Sequence, residues 1–164
     1  MDSVYLETTV ISYLAARPSR DLLMAAHQQA SHDWWRDRRD AFDCYISQVV
    51  LDEIRAGNQE AAEGRIALTH GLSVLGATAE AERLTEAILA DGAIPVRAVQ
   101  DAAHISIAAV HGVDSLLTWN CKHPANAQIM RKMSAVCASQ GFSMPVICTP
   151  EELMGDESVC GTIL

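Results

Sequence analysis

Three acids stand where short apolar runs stop or change face. Glu7 follows Val4-Tyr5-Leu6. Glu53 lies in Val49-Val50-Leu51-Asp52-Glu53-Ile54, and Asp101 opens Asp101-Ala102-Ala103-His104-Ile105-Ser106-Ile107. Carboxylates gathered in one cleft repel each other unless a cation sits among them. Hard oxygen donors, with water completing the shell, suit Mg²⁺ or Mn²⁺. Such an ion can activate a water and stabilise the charge that develops on a phosphodiester. Each acid alone also has a plainer reading. Glu7 could be a strand-end acid, Glu53 a stripe-edge residue reaching solvent, and Asp101 a first-turn helix acid. Val49, Val50, Glu53 and Ile54 nevertheless fall near one helical stripe, whereas Asp52 points elsewhere. Three such acids in three separate segments favour the chemical reading.

The elements that would position them alternate between strand and helix. Val4–Leu6 reads as a first strand, and Thr9–Ala16 as a helix stopped before Pro18. Ser19–Asp40 reads as a long helix. Tyr45-Ile46 is a second strand, with Ser47 capping a helix over Gln48–Ala56. Further helices are expected over Glu60–Leu68, from Thr78 to about Ala90, over Val99–His111, and from Pro124 to about Ser139, with proline near the first turn. Leu72–Leu75, Ser115–Trp119 and Pro145–Cys148 complete the strands, and Thr149-Pro150-Glu151-Glu152-Leu153 begins a last short helix. The pattern is that of an α/β domain: a three-layer α/β/α sandwich around a mainly parallel sheet of four to five strands. Open sheets of this kind bind ligands beyond the carboxyl ends of their strands. Glu7 lies at such an end, and so does Asn120 after Leu116-Leu117-Thr118-Trp119.

The chain has 164 residues, enough for one domain. We place that domain at residues 1–154 and expect residues 155–164 to form a flexible tail. No apolar run approaches the ~20 residues of a membrane span, and Met1-Asp2-Ser3 carries no basic leader. Five cysteines, an odd number without a Cys-x-x-Cys pair, argue against a disulfide framework or zinc ribbon. They read as reduced thiols, mostly core filling, in a cytoplasmic protein. A net charge of −9 is a poor footprint for coating nucleic acid, so any polyanion must be met locally, through a metal or a partner.

Other features carry less. His104, three residues after Asp101, could be a ligand or base, but a hydrogen-bonded helix histidine is the more ordinary role. Lys122 and His123 could touch substrate phosphate or belong to a solvated loop. Cys121-x-His123 is half a zinc site without a second pair. Trp34 and Trp35 with Arg36, Arg38 and Arg39 could stack on RNA, or form a partly buried helix with a charged outer face. Ser12 lies in no Gly-x-Ser-x-Gly elbow, and no Gly-rich phosphate loop occurs.

The segments VYLETTVISYL, ISQVVLDEI, DAAHISIAA and LLTWNCKHPANA, in this order and spacing, resemble the PIN-domain proteins. The likeness is to the VapC-like ribonuclease toxins of prokaryotic toxin–antitoxin pairs, and it extends to about Leu153. It implies a metal-dependent endoribonuclease that uses Mg²⁺ or Mn²⁺ on RNA, a small antitoxin partner, and a homodimer. By position, Glu7, Glu53 and Asp101 match the family's first three acids, and Asn120 stands where many members carry a fourth. Thr9 stands where a small polar residue assists the metal site. Two departures matter. Glu7 replaces an aspartate, adding about 1.5 Å of reach. Asn120 removes a negative charge, which weakens metal binding and makes a catalytically weakened RNA- or protein-binding module the alternative. A receiver or phosphatase-like hydrolase would need an aspartate nucleophile, and the first strand ends in glutamate without an Asp-x-Asp.

Overall fold

The computed structural model describes residues 1–120 and 127–155. Five strands form one sheet: β1 (Ser3–Leu6), β2 (Asp43–Ser47), β3 (Ser73–Leu75), β4 (Ser115–Leu117) and β5 (Val146–Cys148). Their order is β3-β2-β1-β4-β5, and every pairing is parallel. β1 is central, with Tyr5 in register with Tyr45 on one side and Leu116 on the other. A parallel strand covered on both faces has no solvent side, so its residues form a continuous apolar run. Val4, Tyr5 and Leu6 are accordingly buried, while Val74 and Val146 on the edge strands are exposed.

The helices are α1 (Thr8–Ala15), α2 (Leu22–Asp37), α3 (Gln48–Ile54), α4 (Gln59–Leu68), α5 (Ala79–Ala90), α6 (Val99–Val110) and α7 (Ala127–Ser139). α1 packs on α2, α3 and α4, and α5 packs on α6 and α7, giving the expected three-layer α/β/α arrangement. α3 meets α6 where the two groups come together. On α5 the buried residues Ala81, Leu84 and Ile88 recur at three- and four-residue spacing, one stripe of a helix.

Most boundaries follow local chemistry. The hydroxyls of Ser47 and Thr78 accept from the amides of Val50 and Ala81, fixing the starts of α3 and α5. α6 ends in a Schellman turn: Gly112 takes φ +66°, and the Val113 amide reaches back to the Ala108 carbonyl at 2.9 Å. That sharp stop feeds β4. α2 is shorter than its sequence suggests, because the Asp21 carboxylate caps it at Met24 N and the chain tightens into a 3₁₀ turn at Arg39–Ala41. The expected last helix is a turn instead. Glu152 closes it by accepting from Thr149 N, and Gly155 at φ +82° ends it.

The chain leaves β1 for β2 and β3, then crosses back to β4 and β5. The reversal falls between β1 and β4, and a crevice at their carboxyl ends is where such sheets take ligands. Trp34 is fully buried. Arg36 pairs with Asp33 and Asp37, and Arg39 lies 4.4 Å over the Trp35 ring, so these cations are engaged within the chain. Cys137 and Cys148 are buried free thiols and Cys44 is half-buried; Cys121, Pro124 and Cys160 lie outside the described residues. Among the described residues no helix is long and apolar enough to cross a membrane.

Candidate metal centre

Glu7 follows the last residue of β1 and is 7% exposed. Its amide still pairs with the Leu117 carbonyl at 3.0 Å, so the strand geometry carries one residue further. The side chain then serves as the N-cap of α1. Oε2 accepts three hydrogen bonds: from the Thr9 amide (3.0 Å), the Thr9 hydroxyl (2.5 Å) and the Thr118 hydroxyl (2.8 Å). Both hydroxyls are themselves oriented, because Thr9 Oγ1 accepts from Trp119 N and Thr118 Oγ1 accepts from Asn120 N, each at 2.9 Å. Each hydroxyl takes one amide hydrogen and gives its own to Glu7. With Oε2 so engaged, Oε1 is the oxygen turned toward His104, 3.9 Å from its Nε2.

Glu53 comes from α3, which β2 delivers to the same end of the sheet. Its side chain is 18% exposed, against 66% for neighbouring Asp52, as the helical stripe requires. Oε2 accepts from the Thr8 hydroxyl and lies 3.0 Å from His104 Nε2. Burial pushes the Glu53 carboxyl upward. The hydrogen bonds from His104 and the Thr8 hydroxyl outweigh it, holding the group below the usual carboxylate range. His104, on α6, is buried, and its other nitrogen, Nδ1, lies 2.7 Å from the Tyr5 hydroxyl. That hydroxyl lies 2.6 Å from Ser47 Oγ. Burial raises the Tyr5 phenol far above its ordinary value, which keeps it protonated.

Glu7, Glu53 and His104 thus each offer a ligand atom within 4.8 Å of the others, the one such trio among the described residues. Two carboxylate oxygens and one imidazole nitrogen fit a divalent ion such as Mn²⁺, and also Mg²⁺ through the oxygens. Asp101 and Asn120 form a second pair: Asn120 Nδ2 donates to Asp101 Oδ1 at 2.9 Å. That pair adjoins the trio through the Asn120 amide and Thr118, which in turn holds Glu7. The structure therefore unites Glu7 with Glu53, sets Asp101 beside Asn120, and places Thr9 directly on Glu7. Lys122 and His123 lie outside the described residues.

Sequence reasoning does not assign Thr118 or Tyr5 to the site, and it reads Ser47 only as a helix cap. The signals were present but non-local. Tyr5 lies two residues before Glu7 on the same strand face, and Leu6 is in register with Leu117, which sets Thr118 beside Glu7. A cleft of about 960 Å³ opens over the two carboxylates of the trio, lined by Glu7, Thr9, Glu53, Tyr13, Met24 and Val99 among others, with His104 buried behind them.

No family model matches the sequence, and no curated protein is significantly similar to it. Solved structures are similar in fold. VapBC2 from Rickettsia felis, bound to a DNA fragment from its promoter, matches with TM-score 0.58 at 13% identity. The match covers 89% of this chain and 97% of that one. VapC20 of Mycobacterium tuberculosis, a sarcin–ricin-loop-cleaving toxin, matches with TM-score 0.59 at 18% identity, over 75% of this chain and 94% of that one. The chain has a VapC-like PIN-domain fold. In that fold the candidate centre lies at the carboxyl ends of β1 and β2, with Glu7 following β1, Glu53 on the helix after β2, and His104 reaching in from α6.

Proposed function

We propose that the protein is a divalent-metal-dependent endoribonuclease, the toxin of a toxin–antitoxin pair, acting in the cytoplasm. The observation that carries this reading is the meeting of the Glu7 and Glu53 carboxylates, which line an open cleft, with the buried His104. The bound ion, Mg²⁺ or Mn²⁺, would supply a Lewis acid and an activated water for phosphodiester hydrolysis. Glu7 and Glu53 hold the ion from the floor of the cleft. Asp101 and Asn120, paired with each other nearby, would accept from or donate to water of the ion's shell. Thr9 and Thr118 fix the direction of Glu7. Lys122 and His123 follow Asn120 in sequence and would meet substrate phosphate.

The partner reading rests on apolar surface beside the cleft. Leu22, Leu23 and Val96 are exposed, and the half-exposed Met24 and Val99 line the cleft itself. With a net charge of −9, this surface suits a small antitoxin segment that combines apolar and basic residues. A homodimer completes the assembly we propose.

A second reading, a catalytically weakened module that binds RNA or protein, is favoured by one observation. The Asn120 amide, rather than a fourth acid, engages Asp101. One experiment separates the two. A loop-containing RNA is incubated with the native protein and Mg²⁺ or Mn²⁺, with and without chelator, beside Asp101→Asn. Cleavage that chelator stops and the variant lacks supports the nuclease. Native and variant protein behaving alike with both metals overturns it, and RNA retention on a filter then supports the module.

A further inference from the structure

We infer that His104 is a nitrogen ligand of the metal centre, that Tyr5 and Ser47 hold its far nitrogen, and that this makes the centre select Mn²⁺ over Mg²⁺. The inference rests on the metal reading above and deepens it. His104 Nε2 faces both carboxylates, 3.0 Å from Glu53 and 3.9 Å from Glu7. Nδ1 points away from the cleft, toward the Tyr5 hydroxyl at 2.7 Å, which is backed by Ser47 Oγ at 2.6 Å. A ligating histidine almost always gives its second N–H to a carboxylate, backbone carbonyl or water, which fixes the tautomer and strengthens the ligand; a phenol oxygen can accept in the same way. Here the partner is already in place and buried, as is Ser47. The arrangement also explains why a tyrosine stands in the central strand, where an aliphatic residue would fill the same space without a hydroxyl to satisfy.

The ring works in two arrangements. Without an ion, Nε2–H donates to Glu53, an acceptor-only carboxylate, and Nδ1 accepts from Tyr5. An ion held on Nε2 would require the ring's single proton to sit on Nδ1 instead. That Nδ1–H would donate to the Tyr5 oxygen, and the Tyr5 hydroxyl would turn to Ser47 Oγ. Hydroxyls can serve both arrangements because each is donor and acceptor. A site built only of oxygens discriminates weakly among hard ions. An imidazole nitrogen favours later first-row ions, and Mg²⁺ parts with its water reluctantly.

The test is direct ion binding to the full chain. Mn²⁺ binding is followed by electron paramagnetic resonance, with Mg²⁺ as competitor, for the native protein, His104→Gln and Tyr5→Phe. We expect native Mn²⁺ affinity to exceed that for Mg²⁺ by about 30-fold or more, the preference to fall to a few-fold in His104→Gln, and Mn²⁺ binding to weaken about 10-fold in Tyr5→Phe. In case the variants fold poorly, a second measurement uses the native chain alone. The histidine ring nitrogens are observed by ¹⁵N NMR with Zn²⁺ as a diamagnetic probe. A shift of the His104 proton from Nε2 to Nδ1 on Zn²⁺ addition supports the inference. Ion binding with Nε2–H unchanged overturns it and leaves a carboxylate-only centre. No binding of Mn²⁺, Mg²⁺ or Zn²⁺ overturns the metal reading itself.

Discussion

The two ends of the central strands each hold a hydrogen-bonded acid, and only one of them sits in a candidate site. At the amino end, Asp114 Oδ2 accepts from Ser3 N at 2.8 Å and from Ser3 Oγ at 2.7 Å, and its own amide donates back to Ser3 Oγ at 2.9 Å. At the carboxyl end, Glu7 accepts three bonds from Thr9 and Thr118. By hydrogen bonding the two acids are alike. They differ in surroundings: Asp114 is exposed, while Glu7 is buried beside Glu53 and His104 at the floor of a cleft. A well-bonded acid at a strand end is therefore a tie between neighbouring strands. It becomes a candidate centre only where burial, a second carboxylate and an imidazole converge.

The largest expected effect breaks or upholds this contrast directly. Glu53→Gln removes a charge from the trio and should cut metal-dependent RNA cleavage by about 10²–10³-fold, the loss typical for deleting one preorganised electrostatic group. Asp114→Asn, at the other end, should leave cleavage within about two-fold, since surface changes away from a site rarely propagate. Initial rates on one RNA at saturating Mn²⁺ decide the matter. Equal losses in both variants would mean that the two ends do not differ in function.

What the sequence disclosed follows the same division between local and long-range chemistry. Ser47 and Thr78 were readable as caps because a cap acts within three residues. The inward tilt of Glu53 and the outward tilt of Asp52 were readable because a helix repeats within one turn. The strands fell within a residue or two of their places, since glycine, proline and polar residues punctuate them. The α2 start differs because Ser19 and Asp21 both carry a capping oxygen, and it is Asp21 that accepts from the Met24 amide while Ser19 Oγ accepts from Asp21 N. The Asp101–Asn120 pair and the Tyr5–His104–Glu53 chain were not readable. They depend on how β1 registers against β2 and β4 and on how α6 lies against α3. Neither is encoded in any window of a few residues. The buried tyrosine in an otherwise aliphatic strand was the one local hint, because its hydroxyl must find a partner.

A middle-sized effect sharpens the contrast by touching the supports rather than the acids. Thr118→Val keeps the shape of a buried side chain but removes the donor to Glu7 and the acceptor for Asn120 N. Glu7 Oε2 would keep its two bonds from Thr9 and gain freedom to turn. We expect about 10-fold slower cleavage, in line with the loss of an outer-shell partner, and a stability loss of about 1–3 kcal/mol from the groups left unpaired. Ser3→Ala is the matching change at the opposite end and should leave cleavage unaltered. Rates and urea midpoints for both variants test the pair. Thr118→Val that loses stability but no activity would make the threonine a strand tie, as Ser3 is.

The smallest expected effect concerns the acid that does no chemistry. The Ser3 hydroxyl and then the Ser3 amide hold Asp114 below the usual carboxylate range, with a small contribution from the chain's amino terminus. A carboxyl depressed in the folded state stabilises the fold at pH values above its unfolded value, near 3.8, and loses that contribution as pH falls through its folded value. Native protein should therefore be slightly more stable than Asp114→Asn from neutral pH down to about pH 4, and the two should converge below that. Because the group is exposed, the gap should also be small and shrink with added salt. Urea unfolding of both proteins between neutrality and strong acid measures it. A gap that persists unchanged into strong acid would mean that Asp114 acts through backbone geometry rather than charge. The amino end would then be held by the same neutral hydroxyl bonding that orients Glu7, leaving charge as the property peculiar to the carboxyl end.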